Sequence, residues 1–338
     1  MHYFAICDIA SRFLIFREPW GASLHRPGQD DTKADMTNRK ARPKQGNDKT
    51  RSPRESSLFV GSLEKGMQIL RVFDRERSVM GLSEIVEASG LDKSSVQRFT
   101  FTLHALGYLR KDDSTRKYTL SPRVLELGFA YLQTDSLVEY ATPHMYEANR
   151  RSGETVNVTE LFDTEVVYVA RAPGRHVISV DIFLGMRIPA HACAPGRVIL
   201  AFMEEIDAAA LIDRSELRKF TPKTIASRAG LLRELAQVRS QGYAIAEEQC
   251  YLGEISVAAP IFNGSRKPVA ALNISVPSSR WSVKQIEEQL VPIVLEASRA
   301  ISPADSSVSS HPWFYRRLTT APALSANPKR VASGRRSR

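Results

Sequence analysis

GLSEIVEASGLDKSSVQRFTFTLHALGYL, residues Gly81 to Leu109, sets two short amphipathic runs around ASGL and ends in a basic, aromatic segment. Upstream, SLEKGMQILRVFDR repeats Leu63, Met67, Leu70 and Phe73 at near-helical spacing, with Ser62 as N-cap and Glu64 in the first turn. A first helix with those four side chains inward is expected. In SEIVEAS, Ser83 can cap a helix of about two turns that points Ile85 and Val86 inward. Gly90 stands where the chain must reverse through positive φ. Asp92 then caps a third helix in which Val96, Phe99, Leu103 and Leu106 form one apolar stripe. Its other faces carry Lys93, Ser94, Ser95, Gln97, Arg98 and Thr102. Gly107 ends it, and YLRKDDSTRKYTL supplies two short strands around the polar turn DDST, with Tyr118 and Leu120 on one half-buried side.

Helix, short helix, turn, longer helix and hairpin spell a winged helix-turn-helix. The bend at ASGL makes the second helix a brace, so that the third presents its side chains to the major groove of a double-stranded DNA operator. There Gln97 and Arg98 can pair bidentately with an adenine or a guanine edge. Arg110, Lys111, Arg116 and Lys117 of the hairpin are placed for flanking phosphates, which position the protein without reading sequence. An interaction module whose winged helix docks on protein is the alternative, and the Gln, Arg, Ser and Lys face weighs against it. Phe101, on that same face, either packs on a neighbouring segment or a dimer mate, or touches a base methyl.

The net charge of +10 is not spread evenly along the 338 residues. Residues 1–57 hold 11 Lys and Arg against 7 Asp and Glu, and residues 303–338 hold 7 against 1, so the two ends carry the whole excess. Both ends are polar, rich in Pro, Gly and charge, and without helical or strand period, and are expected to be disordered. Met36, followed by the basic TNRKARPKQ, is a candidate true start. The apolar start MHYFAICDIASRFLIF is interrupted by Asp8 and Arg12, has no basic leader or cleavage site, and is too short to span a membrane. Three scattered cysteines, Cys7, Cys193 and Cys250, make neither a disulfide framework nor a zinc quartet. A soluble, cytoplasmic protein is expected, with no membrane partner.

The remainder is read as an α+β domain. SPRVLELGFAYLQTDSLVEYATPHMYEANRRSG suggests a linker helix from about Pro122, then a second helix broken near Pro143. TVNVTEL, EVVYVARA and HVISVDI are β-branched and alternating, and EISVAAPIFNGSRKPVAALNISV reads as a hairpin with an Asn-Gly turn. Helices at about 195–204, 228–241 and 282–301 would cover a mostly antiparallel sheet. The expected organisation is a disordered extension 1–57, a DNA-binding winged helix 58–121, a linker helix 122–136, an effector-binding domain 137–302 and a basic tail 303–338.

No G-x-S-x-G elbow, phosphate loop, G-x-G-x-x-G or H-E-x-x-H occurs, so no catalytic residues are assigned. In HACAPGRV, His191 and Cys193 could suggest metal or nucleophile chemistry. Without a clear third and fourth ligand they read better as packing residues, and neither a metal nor a cofactor is expected.

SLEKGMQILRVF, the opening stretch, YTLSPRVLELG, RIPAHACAPGRVILAF and QGYAIAEEQCYLGEISVAAPIFNGSRKPVAALNISVP, in that order from about Leu58 to Ile301, resemble successive signatures of the IclR family of bacterial transcription regulators. HVISVDIFLGMRIPAH is similar to the branch that controls protocatechuate, 4-hydroxybenzoate and β-ketoadipate-pathway genes. The resemblance implies a GAF-like effector domain, a dimer or dimer of dimers, and a small-molecule effector. It puts the pocket floor on Val180 and Ile188, the mouth on Ala194, Pro195 and Gly196, and a polar ring on Ser256, Asn273 and Ser275, with His191 and Glu247 as rim groups. Pro195 and Asn273 depart from the smaller or hydroxyl residues the family pattern carries there. Apolar walls, hydroxyls and a helix N-terminus suit a small carboxylate, and the branch resemblance points to an aromatic acid.

Overall fold

The computed structural model of the chain describes residues 53–175 and 182–302. The expected extension up to residue 52 with its Met36, the tail 303–338, Val180 and the rest of segment 176–181 lie outside the described residues. The last part of the expected extension differs from the sequence reading. Pro53–Glu55 form a 3-10 turn, and Arg54 pairs with Glu64 at 2.6 Å.

Helix α1 spans Gly61–Arg71 and is capped by backbone at Val60, not by the Ser62 side chain. Of the four apolar residues at helical spacing, Phe73 is buried and Leu70 packs against the core. Ile69, Val72 and Phe73 are buried, whereas Leu63 is 65% and Met67 39% exposed. The 3–4 spacing admits both faces, and packing against the next two helices selects one. Helix α2, Leu82–Ser89, begins one residue before Ser83, because the Glu84 carboxylate accepts the Gly81 N–H at 2.6 Å. Ile85 is fully buried and Val86 partly so. Gly90 closes the helix at φ 68°. Asp92 opens α3, Lys93–Ala105, by accepting the Ser95 N–H at 2.9 Å. Val96 and Leu103 are core residues and Phe99 packs against them, but Leu106 is the exposed C-cap. Thr100 is buried in that helix instead, its hydroxyl satisfied by the Val96 carbonyl at 2.8 Å. Strands β1, Leu109–Lys111, and β2, Tyr118–Leu120, pair antiparallel, and Met80 bridges to Tyr118.

Helix α4, Val124–Thr134, starts two residues after Pro122, and Asp135 separates it from α5, Ser136–Ser152. The expected break at Pro143 does not occur, since Pro143 lies inside α5. A mid-helix proline costs about 3 kcal/mol. Leu137, Ala141, Met145 and Ala148 pack into the domain core, and burying one Leu or Met side chain returns ~1.5–3 kcal/mol. The tertiary contacts therefore hold the helix through the proline.

The larger sheet comprises β3, Thr155–Phe162; β4, Glu165–Ala172; β5, Arg187–Pro189; β6, Ala244–Glu247; β7, Glu254–Phe262; and β8, Pro268–Pro277. Its order is β5-β4-β3-β8-β7-β6, with every pair antiparallel. The β7–β8 connection is longer than a two-residue Asn-Gly turn. The Asn263 side chain accepts the Ser265 and Lys267 N–H groups at 3.0 Å each, and Arg266 takes the positive φ of 57°.

On one sheet face lie α5 and α10, Val291–Ile301. The latter continues α9, Val283–Gln285, through a π turn at Ile286–Leu290, where the Val291 N–H reaches the Ile286 carbonyl just before Pro292. On the other face lie α6, Ala194–Phe202, and α8, Arg228–Gln241. Helix α7, Glu205–Arg214, was not expected from the sequence. Both faces of the sheet are thus covered. Among the described residues no helix is long and apolar enough to cross a membrane.

Candidate nucleic-acid interface and effector site

Between α3 and the β1–β2 wing lies an open groove of about 840 Å³, lined by Gln97, Arg98, Phe101, Thr102, Lys111 and Arg116, with Leu82, Asp113 and Tyr118. Two anchors shape it. The Asp112 carboxylate collects the Ser114 and Thr115 N–H groups at 2.8 and 3.0 Å, which tightens the wing turn. At the far end of α3, Arg123 Nη1 donates to the Leu106 carbonyl at 2.7 Å, and the guanidinium lies 5.5 Å from the Tyr108 ring centre. A cation on the carboxyl end of a helix is favourably placed, and this one fastens the start of α4 to the end of α3.

Five of the ten expected DNA-contacting residues therefore meet in one groove. Lys93, Ser94 and Ser95 sit at the α3 N-terminus, where the Ser94 hydroxyl already donates to Asp92 at 2.7 Å. Hydrogen bonds from Ser95 and Ser94 hold the Asp92 carboxyl below the usual range. Arg110 lines instead a second hollow with His104, Lys111, Ser121 and Arg123. Lys117 is 3.9 Å from Glu84. Lys93, Arg98, Arg110, Lys111 and Arg116 make no ion pair among the described residues. Unpaired cations around a helix that carries Gln97 and Arg98 form a surface complementary to a polyanion. Phe101, 71% exposed, lines the groove rather than packing within the chain.

The second candidate site lies on the sheet face beneath α6. Along β3 the side chains alternate, with Val156 and Val158 in the core under α5 and α10 and Thr155, Asn157 and Thr159 on the opposite face. Register places Thr155 opposite Ser275, Asn157 opposite Asn273, and Ser275 opposite Ser256. All of these polar residues are buried. Ala258 and Ala271, on the same face, pack with Val198 of α6. The row is roofed over rather than solvated.

The α6 N-terminus is packed tightly against the chain that precedes it. Gly196 is pressed against the chain at Ala190, where a Cβ would stand 2.2 Å from the carbonyl oxygen and 2.3 Å from Cα. Only glycine fits. Arg197, fully buried, ties this start down through the His191 carbonyl at 2.8 Å, Glu234 at 3.4 Å and the Gln249 side-chain oxygen. Ala194, Pro195 and Gly196 are buried at the mouth of the helix, and Ile188 is buried on β5 opposite Val166.

One expected rim group, Glu247, does not join the row. Glu247 stands in register with Ile255, which faces the other side of the sheet, and its carboxylate pairs with Lys223 at 2.6 Å. His191 is buried, with Nε2 3.0 Å from the Arg218 carbonyl and its ring near Phe220. Burial lowers its pKa from 6.5. Sequence reasoning also missed Asn157, Thr159, Arg171 and Glu254. Arg171 Nη1 donates to Asn157 Oδ1 at 3.3 Å. Glu254 leads the β7 face that Ser256 continues, and burial raises its pKa, opposed by a hydrogen bond from Ser275 and the charge of Arg171. Burial likewise pushes the Cys193 and Cys250 thiols and the Tyr251 phenol up to about 12. At neutral pH both cysteines are thiols, and only the thiolate is a nucleophile or metal ligand.

Comparison with known proteins links both sites. The description "IclR helix-turn-helix domain" matches residues 62–113, and "Bacterial transcriptional regulator IclR C-terminal" matches residues 129–303. The Pca regulon regulatory protein of Pseudomonas putida is 32% identical over 242 residues, which cover 71% of this chain and 82% of that protein. An IclR family transcriptional regulator from Brucella abortus superposes with a TM-score of 0.64 at 27% identity, covering 73% of this chain and 94% of that one. An IclR homolog from Microbacterium hydrocarbonoxydans, solved in complex with 4-hydroxybenzoate, gives a TM-score of 0.60 at 25% identity, covering 71% and 97%. The winged helix with its unpaired cations and the roofed antiparallel sheet correspond to the two parts so matched, and the chain belongs to the IclR family of bacterial transcriptional regulators.

Proposed function

We propose that this regulator binds its operator as a homodimer or a dimer of dimers in the cytoplasm, and that a small carboxylate seated under α6 changes that binding. The protein is an IclR-type DNA-binding transcriptional regulator with an effector-binding C-terminal domain, and not an enzyme. The proposal adds the ligand class and its place. In this reading the winged helix 58–121 contacts DNA, 122–136 is the linker, and 137–302 holds the effector.

One observation carries the effector site. Asn157 Nδ2, Thr159 Oγ1 and Asn273 Oδ1 are buried on one sheet face without a hydrogen-bond partner among the described residues. Leaving a buried polar group unpaired costs ~1–3 kcal/mol each, a cost that a bound polar molecule removes. The start of α6 brings a positive dipole end, which favours an anion. The 4-hydroxybenzoate bound by the Microbacterium homolog supports an aromatic acid. Exposed apolar side chains on α1 and α4, Leu63, Leu125 and Phe129 among them, support a dimer through these helices.

A thermal-shift panel of aromatic and short aliphatic carboxylates tests the site. A ligand at 100 times its dissociation constant adds ~2.7 kcal/mol to a folded state it alone binds, and the same compound should alter operator affinity by roughly 5- to 150-fold. A panel without a stabiliser, or a stabiliser without effect on operator affinity, contradicts the proposal.

A further inference from the structure

Asn157 and Asn273 face each other in the β3–β8 register, both fully buried. Neither amide is free to turn over. The Asn157 oxygen is engaged by Arg171 Nη1 at 3.3 Å, which leaves Nδ2 as the open donor. The Asn273 amide nitrogen donates to Ser275 Oγ at 3.1 Å, which leaves Oδ1 as the open acceptor. Arg171 and Ser275 thus orient the two amides. One buried donor and one buried acceptor, of settled polarity, stand side by side across paired strands.

This arrangement discriminates among ligand groups by elementary hydrogen-bond bookkeeping. A keto oxygen accepts only, and would leave Asn273 Oδ1 unpaired. An ammonium donates only, and would leave Asn157 Nδ2 unpaired. A hydrogen or methyl satisfies neither. A hydroxyl accepts through a lone pair and donates its proton, and so satisfies both at once.

Resting on the reading of this face as the effector site, we propose that Asn157 and Asn273 select an effector that bears a hydroxyl group in addition to its carboxylate. The hydroxyl oxygen accepts from Asn157 Nδ2 and its proton is donated to Asn273 Oδ1, while the carboxylate lies toward the α6 N-terminus. The amide pair is the specificity-determining element, and the helix end is the general anion site.

The test is isothermal titration of the full-length protein with matched ligands: benzoate against 3- and 4-hydroxybenzoate, and propionate against lactate and pyruvate. At least one hydroxylated compound should bind roughly 10- to 100-fold more tightly than its unhydroxylated partner, the scale expected when a site built for a hydroxyl meets an analogue without one. In Asn157→Asp, which turns the open donor into an acceptor, and in Asn273→Leu, that advantage should fall to within about twofold while binding of the unhydroxylated carboxylate persists. Ligand-free operator binding reports that each variant is folded. The wild-type comparison decides the selectivity without any variant. Equal affinities within every matched pair would overturn the inference and leave the effector site standing, with water filling the amide pair. A hydroxyl preference that survives both substitutions would place its recognition elsewhere. Failure of every carboxylate to bind would overturn the site itself, and the inference with it.

Discussion

Replacing Arg98 by alanine isolates base readout from every other contribution to DNA binding. Arg98 is exposed on α3, lines the groove beside Gln97 and Thr102, and makes no ion pair among the described residues. Its backbone carbonyl, which accepts the Thr102 hydroxyl at 2.9 Å, is retained in the variant. Alanine is the strongest helix former, and surface changes away from special features alter stability by about 0.5 kcal/mol or less. A bidentate arginine to guanine contact is worth ~1–3 kcal/mol of discrimination, so operator preference over a scrambled duplex should fall roughly 5- to 150-fold. Competition gel shifts at fixed salt measure this ratio. Lys117→Ala provides the contrast, because removing a wing cation that neutralises a phosphate should weaken all duplexes alike and reduce the salt slope by ~0.9. The Lys117 effect is partly masked, since that side chain already has Glu84 at 3.9 Å. If Arg98→Ala left the ratio of operator to scrambled affinity unchanged, α3 would not be the reading helix.

Gly196→Ala should disturb the α6 mouth, because the new Cβ would stand 2.2 Å from the Ala190 carbonyl oxygen. Calorimetry should show a loss of ~1–3 kcal/mol or more, together with a smaller thermal shift by any stabilising carboxylate, and an unchanged melting temperature would refute the close packing. Burial depresses His191 below its ordinary 6.5, so its contribution is present above about pH 6.5 and is lost as pH falls through the lowered value. Wild type should therefore lose stability between about pH 7 and 5 more steeply than His191→Gln, and equal slopes would show that His191 is freely protonated in the folded protein. Leu125→Glu with Phe129→Glu should shift the oligomer toward monomer in sedimentation equilibrium, since both side chains are exposed on α4; an unchanged mass would move the dimer surface off this helix.

Local signals made the winged helix legible. Gly90 at positive φ, the Asp92 cap and the DDST turn each act within a few residues, and each appears where the residues place it. The exposure of Leu63, Met67 and Leu106 was not legible, because a 3–4 repeat offers two overlapping stripes and only neighbouring helices choose between them. The continuous α5 shows the same limit, since burial of Leu137, Ala141 and Met145 overrides a strong local signal at Pro143.

In the effector domain, the alternation of TVNVTEL marks a strand without saying what covers its polar side, so Asn157 and Thr159 did not stand out. Helices on both sides of the sheet convert the same alternation into a buried polar row. Ser256, Asn273 and Ser275 were reached through the family resemblance rather than through their pattern. Glu254 and Arg171 had no distinguishing context in the sequence, because their part depends on register across β4, β3, β8 and β7. A detectable cue did exist: Asn and Ser recur at alternate positions of ALNIS in an otherwise apolar strand.

Whether a carboxylate under α6 governs operator binding from this polar row is decided by Ser256→Ala/Ser275→Ala in the full-length protein. Both hydroxyls are buried on the row, and Ser275 also holds the Asn273 amide at 3.1 Å. Operator affinity should be measured with and without the best stabilising carboxylate of the panel, in wild type and in the double variant. The double variant should bind operator as wild type does in the absence of ligand, and should no longer respond to the carboxylate. A ligand response of undiminished size in the double variant would contradict control from this site.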